Sequence, residues 1–398
     1  MSIESKKLNT LTLSGLIIGP ILGSGLVLLP PLLYNMLGNF SLIIWILILS
    51  LGFIFALIFG KLAILYPGDG GVSLATKEAM GKKYQHLTSF YLICAVFFGP
   101  VAVLLIAAEF MQEYFANTSL VLLGLYVYIL TYALLLIKID FLGKLMLIVS
   151  SAITLIFFIS SVNILLSVGE FIFTLPNVQI QELGHSFLLV FWAIVGWEVI
   201  GNYSKEVRSI KTLTNAVIFS AIVVSLVYIL TAIAICFGEF PKDEDFKLVW
   251  LIEPIFGKLS HIILASISII LCVGTLILFV GGVARLISSL EFTKYTSKHL
   301  KNNTPIGALN FLSFIYMITL SLVYLNILNL STLVAFADGF FIANALIGLI
   351  TAIILFDKGF LKSSAMVLSV LFLGILLFSN IFILLVITIL FLFTYFKR

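Results

Sequence analysis

Two carboxylates stand inside stretches where almost every other residue is apolar. Glu198 lies about halfway along the run 186–203, and Asp338 lies within the run 330–356. A carboxylate at bilayer depth costs several kcal/mol unless it is protonated, paired or facing water. Each is therefore a candidate for moving a proton or sensing pH. The plainer alternatives are a rim position for Glu198 and a structural hydrogen bond for Asp338. A third feature is a run of helix breakers, Gly19-Pro20-Ile21-Leu22-Gly23-Ser24-Gly25, closed by Pro30. Pro20 removes a backbone donor, and three glycines within seven residues weaken a helix. Small residues also line helix-packing faces, but helix breaks at membrane depth persist only where they line a cavity.

The elements that must hold these residues follow from composition. The 398 residues are 62% hydrophobic, 14% aromatic and 10% charged, with a mean hydropathy of +1.24. Soluble domains are about 45–50% apolar and about 25% charged. Twelve spans of about 20 residues would use roughly 60% of the chain. A soluble enzyme, a nucleic-acid binder, a disordered chain and a disulfide-rich secreted domain are excluded. Apolar runs occur at about 11–37, 40–66, 86–115, 119–137, 141–167, 186–203, 213–237, 259–290, 306–327, 330–356, 363–379 and 381–396. They are too long, and too little alternating, for barrel strands. The expected fold is an all-α, multi-pass membrane protein with about 12 transmembrane helices.

Orientation follows from the cations. With the N-terminus inside, 19 of the 22 Lys and Arg residues fall in cytoplasmic segments, and only Lys242, Lys247 and Lys258 fall outside. This asymmetry predicts both termini in the cytoplasm. It also explains the pI of 8.8 without a nucleic-acid partner. The first run is too long for a cleaved leader and stays as a span. The stretches 168–185, 238–258 and 291–305 read as loops. Cys94, Cys236 and Cys272 suggest neither a disulfide framework nor a metal site.

The interrupted runs 1 and 6 are five helices apart. Two five-helix halves of inverted topology, about 11–167 and 186–356, would bring such breaks together at a central site. Half-helix N-termini offer N–H groups to an anion, and half-helix C-termini offer carbonyls to a cation. A zwitterion fits both. The residues alone thus point to a secondary transporter whose ligand carries a small anionic group. The rivals are an enzyme and a channel. The chain has no GxSxG, HExxH or P-loop. His86, His185, His261 and His299 lie near span ends or in loops, and neither a selectivity filter nor a voltage-sensor helix is present.

Gly23-Ser24-Gly25-Leu26 with Leu29-Pro30 resembles the first-span signature of the amino acid–polyamine–organocation superfamily. Pro67-Gly68-Asp69-Gly70-Gly71 resembles its turn after span 2, leading to a short cytoplasmic helix ending near Gly81. Trp192-x-x-x-Gly196-x-Glu198 with Glu206 resembles its sixth span, and Ala284-Arg285 with Thr304-Pro305 its eighth-to-ninth connection. The likeness covers about residues 8–355. It implies a LeuT-like 5+5 inverted repeat with helices 1 and 6 broken, preceded by a cytoplasmic segment 1–10. The ten-helix core spans 11–356. The two further helices within 363–396 lie outside the repeat, with a homodimer contact among their possible roles.

Pro20 and Pro100 stand where arginine/agmatine-type exchangers would place Asn, so a cationic substrate is poorly supported. Phe98-Gly99-Pro100-Val101-Ala102 through Glu109-Phe110, and Phe336 to Ile342, resemble bacterial exporters of methionine and branched-chain amino acids, with Asp338 a departure from them. The resemblance implies substrate binding by the backbone around Ile21, Gly23, Ser24 and Gly25. Ser24 and Gly25 would take the α-carboxylate, and the carbonyls of Ile21, Trp192 and Val195 the α-ammonium, beside Gly196. Phe97, Phe98, Ile194, Trp197 and Leu276 are candidate pocket walls. Trp192 is a candidate outer gate, and Glu198 and Asp338 are candidates for proton coupling. Glu109 reads as a rim residue. The implied function is proton-linked export of neutral, mainly hydrophobic L-amino acids (Met, Leu, Ile, Val) across a bacterial inner membrane by alternating access, with import or exchange as the alternative. No cofactor or resident metal is expected. The coupling ion stays open between a proton and sodium: Lys144 is too near the start of span 5 to replace sodium, and Ser266 and Ser268 could contribute to a sodium site.

Overall fold

The computed structural model describes residues 7–173, 176, 178–241 and 244–396. Lys6, Lys242, Lys397 and Arg398, four of the cations counted for orientation, lie outside the described residues. The spans form where the apolar runs predict. They are α1 (Thr10–Leu37), α2 (Phe40–Leu65), α4 (Lys82–Gln112), α5 (Leu120–Leu135) and α6 (Ile139–Ser167), then a sixth span opening with α7 (Ile180–Phe191) and resuming in α8 (Trp197–Ile200). The second half continues with α9 (Ile210–Phe237), α11 (Ser260–Ser289), α12 (Ile306–Tyr324) and α13 (Leu330–Leu355), followed by α14 (Phe360–Leu376) and α15 (Ile381–Phe396). Among the described residues, nine of these spans are long and apolar enough to cross a bilayer alone, and α5, α14 and α15 are shorter apolar helices.

Two short helices lie between spans: α3 (Val72–Met80) after α2, and α10 (Val249–Phe256) after α9. They occupy equivalent places in the two halves, on opposite faces, as an inverted repeat requires. Equivalent spans also pack on each other across the molecule, α2 on α9 and α4 on α11.

Two of the expected loops carry helix. α10 forms within 238–258, and α7 starts at Ile180 rather than near 186. The early start has a local cause: the Glu182 carboxylate accepts the Gln179 backbone N–H at 3.1 Å, supplying an N-terminal cap. The segment before α10 is pinned to the end of α1. The Asn35 side chain donates to the Phe246 carbonyl at 3.2 Å and accepts the Phe246 N–H at 2.8 Å.

The opposite face, where Lys7 and Leu8 lie, is held by side chains of the sixth span. Arg285 at the end of α11 donates to Glu206 from Nε at 2.9 Å and Nη2 at 2.7 Å, and from Nη1 to the Gly281 carbonyl. Its guanidinium lies 4.5 Å from the centroid of the Tyr203 ring. Ser204 accepts the Gly68 N–H, and Lys205 pairs with Asp69 at 2.8 Å, joining the sixth span to the turn after α2. Leu8 pairs with residues 206–208 as an isolated parallel bridge, and Arg208 donates to the Lys7 carbonyl at 2.9 Å.

Candidate functional site

The first span breaks at Gly23, whose φ of 38° and ψ of −148° leave the helical region. A side chain there would be strained and would also run into the Thr275 hydroxyl. The break frees carbonyls, and two neighbours take them up. Thr275 Oγ1 donates to the Pro20 carbonyl at 3.0 Å, and Tyr228 donates to the Leu22 carbonyl at 3.1 Å. Tyr228 is held in turn by stacking on Trp45, with ring centroids 4.8 Å apart. The helix resumes at Ser24. As at any helix start, its first N–H groups lack intrahelical acceptors.

The sixth span breaks differently. After α7 the chain tightens into a 3-10 turn over Trp192–Ile194, extends at Val195, and turns at Gly196 with φ 120° before α8 begins. The Glu198 side chain folds back on this start, its Oε2 accepting the Gly196 N–H at 3.0 Å. A carboxylate here complements the positive end of the half-helix. Glu198 Oε1 has no partner among the described residues.

Between the breaks lies a cavity of about 20 Å³, room for about one water molecule. α1 contributes Pro20, Ile21, Ser24 and Gly25; α4 contributes Gly99, Pro100 and Val103; α11 contributes Thr275, Leu276 and Phe279. The α4 and α11 sets each follow the spacing of one helical stripe, while the α1 set straddles the Gly23 break. Trp192, Val195 and Phe341 complete the walls, and none of the lining side chains ionises. Phe279 meets Phe341 edge to face with centroids 5.3 Å apart. The Trp192 indole N–H donates to the Ser24 hydroxyl at 3.1 Å, bridging the two interrupted spans.

Of the residues expected at the site, Ile21, Ser24, Gly25, Trp192, Val195 and Leu276 line this cavity, while Gly23 and Gly196 make the breaks that shape it. Phe97, Phe98, Ile194 and Trp197, expected as pocket walls, do not line this cavity. On α4, Gly99, Pro100 and Val103 define the inward stripe, and Phe97 and Phe98 fall off it by helical rotation. Phe97 packs against Phe311, and Phe98 against Phe336 and Phe340. Ile194 lies against Gly52 of α2. Trp197 lies past the Gly196 turn, on a segment packed between α2 and α11.

Glu198 and Asp338 are each 2% exposed, and neither lines the cavity. Asp338 Oδ1 has no partner among the described residues. Its neighbour Gly339 abuts Ser379 and Ile383. Glu109 is exposed near the end of α4. Ser266 and Ser268 donate to carbonyls of their own helix, those of Ile262 and Leu264, and Lys144 pairs with Asp140 at 2.9 Å. The wall residues that sequence reading missed are Gly99, Val103, Thr275, Phe279 and Phe341. Helical steps from Pro100 and Leu276 reach the first four.

Comparison with known proteins accords with this architecture. Over 354 residues the chain is 25% identical to the L-methionine/branched-chain amino acid exporter YjeH of Escherichia coli (strain K12), covering 82% of this chain and 81% of that one. It is 22% identical to the uncharacterized amino acid permease YecA of Bacillus subtilis (strain 168), covering 83% and 81%. A crystal structure of a mutant Eremococcus coleocola manganese transporter superposes with a TM-score of 0.63 at 12% identity, over 97% of this chain and 94% of that one. That likeness is one of fold. The family model described as amino acid permease matches residues 8–396, and the chain is therefore a multi-pass membrane protein of the amino acid permease family.

Proposed function

We propose that this permease moves neutral, mainly hydrophobic L-amino acids (Met, Leu, Ile and Val) out of a bacterial cell across the cytoplasmic membrane, by alternating access linked to protons. The observation that carries this reading is the cavity itself. It has a half-helix start at Ser24 and Gly25 on one side and no ionisable side chain in its walls. The backbone N–H groups after the Gly23 break suit an α-carboxylate. The carbonyls of Ile21, Trp192 and Val195 are the candidates for the α-ammonium. The substrate side chain would then lie against Leu276, Phe279 and Phe341. A charged side chain would find no partner there and bears the full cost of desolvation. The similarity to an exporter whose name specifies methionine and branched-chain amino acids supports the same substrate class.

With space for about one water molecule, the walls must part to admit an amino acid. The two clasps suited to alternate in that motion are the Trp192–Ser24 bond and the Arg285–Glu206 pair on the face of Lys7 and Leu8. The cation bias assigns that second face to the cytoplasm. Glu198, at the start of the inner half of the sixth span, is the candidate proton-linked group, with Asp338 the second.

Counterflow with purified protein in liposomes tests this reading, with each of the amino acids trapped in turn. Exchange driven by Met, Leu, Ile and Val, and not by Arg, Lys or Glu, is the expected result. Exchange by charged amino acids alone would overturn the assigned substrate class. Imposing an inward proton gradient then reads the coupling: accumulation against the substrate gradient is expected only when protons flow the opposite way.

A further inference from the structure

A second recess lies on the outer wall of the bundle, between α5 and α12, where nothing in the transport cycle uses it. It measures about 470 Å³ and is wide open at the surface of the bundle. The two helices run antiparallel, so their facing residues form rungs. At one end Tyr132 donates to the Asn310 side-chain oxygen Oδ1, next Tyr128 pairs with Ser313 at 2.6 Å, and deeper lie Leu125 and Met317. From Tyr132 to Leu125 is seven residues, about 10 Å of helix. The recess thus grades from polar to apolar over roughly the distance from a phospholipid headgroup into its acyl chains.

The polar end carries positive charge. Tyr295, from the segment between α11 and α12, forms part of the wall, and the Lys298 ammonium lies 5.9 Å from the centroid of its ring. That segment is fixed in place because the Asn302 side chain donates to the Leu136 carbonyl at the end of α5 at 2.8 Å. Lys294, Lys298, Lys301 and Lys138 are all exposed around this end. The nearby acids are Glu291 and Asp140, and Asp140 is already paired with Lys144. The Asn310 amide nitrogen has no hydrogen-bond partner among the described residues, so it remains a donor to whatever enters.

We propose that this recess is a binding site for one glycerophospholipid with an anionic headgroup. Its phosphate faces Lys298 and the Asn310 amide, and an acyl chain runs along Ile129, Leu125 and Met317. Basic pockets between helix ends recruit such headgroups at a membrane surface. The lipid would brace the segment 291–305 against α5, joining a span of the first half to the connector that leads into the second.

Native mass spectrometry on the delipidated full-length protein tests this, with dioleoyl phosphatidylglycerol and dioleoyl phosphatidylcholine as probes. The wild type should retain phosphatidylglycerol in preference. Lys298→Gln should weaken that retention roughly fivefold, and Asn310→Leu should weaken it as well. Lys358→Gln, which removes a lysine remote from the recess, should leave retention unchanged. Equal retention of the two lipids overturns the proposal, as does an equal loss in Lys358→Gln, since either would show bulk attraction only. Glycerol 3-phosphate added in excess should not displace the lipid. Displacement would show a free-phosphate site and would equally overturn it.

Discussion

The Trp192 indole N–H donates to the Ser24 hydroxyl at 3.1 Å, so the two interrupted spans touch at the point where each loses its helical hydrogen bonds. Trp192 is both a wall of the cavity and a tie between the two broken spans. A hydrogen bond of this type contributes about 1 kcal/mol. Trp192→Phe keeps a ring but loses the bond. It is expected to change the substrate concentration for half-maximal counterflow by up to about fivefold. Trp192→Ala removes the wall as well and should reduce transport much further. Equal effects of the two substitutions would place the importance of Trp192 in packing alone.

Gly25 has no room for a side chain. A Cβ there would lie 2.6 Å from the Tyr228 hydroxyl and 3.6 Å from the Trp192 ring. Gly25→Val should abolish counterflow while the protein still inserts and purifies as a monodisperse species. Size-exclusion chromatography beside the transport assay separates this outcome from misfolding, and near-normal transport would remove the carboxylate cradle.

Gly99 offers a subtler test. A Cβ there meets Ala337 and Phe341 at 3.4 Å and the Trp192 ring at 3.8 Å, ordinary contact that nevertheless takes up cavity space. Gly99→Ala is expected to shift selectivity toward smaller side chains by roughly tenfold, as the loss of a methylene's space does in other apolar pockets. Competition between alanine and methionine in counterflow measures it directly.

Glu198 can exchange its carboxylate for an amide without losing its cap, since the Gln oxygen still accepts the Gly196 N–H. Glu198→Gln should therefore preserve substrate binding and flatten the pH dependence of transport. A pH profile matching that of the wild type would remove Glu198 from coupling and leave it a helix cap.

The Arg285–Glu206 pair is mostly shielded, with the side chains 12% and 21% exposed. Removing one member of such a pair strands the other charge, at a cost of about 3 kcal/mol. Glu206→Gln should lower the Tm of the purified protein. It should also raise labelling of a cysteine placed at Val103 by reagents added to the side of Lys7 and Leu8. A lower Tm with unchanged labelling would make the pair structural rather than a gate.

Much of this architecture was legible because lipid imposes a strong rule on sequence: long apolar runs, with breakers allowed only where a cavity tolerates them. Gly23 stands out for that reason and is the point where the first span breaks; Gly196, marked only through its family motif, interrupts the sixth. The walls of the cavity were harder to read. The family resemblance offers Phe97 and Phe98 as apolar walls, yet the inward stripe of α4 belongs to Gly99, Pro100 and Val103, where small size makes the space. Thr275 was invisible because its role, feeding a hydrogen bond to the Pro20 carbonyl, depends on a contact across 255 positions of chain. The helical nature of α10 was masked by its polar flanks.

The stitch between Leu8 and Val207, reinforced by Arg208 on the Lys7 carbonyl, reaches beyond the face it closes. It fastens the stub ahead of α1 to the tail of the sixth span, so neither broken helix can swing alone at that end. The segment at Lys7 and Leu8 thereby becomes a lever. A load applied there, by a surface attachment or a docked protein, would be transmitted through two residues to the two breaks that flank the cavity.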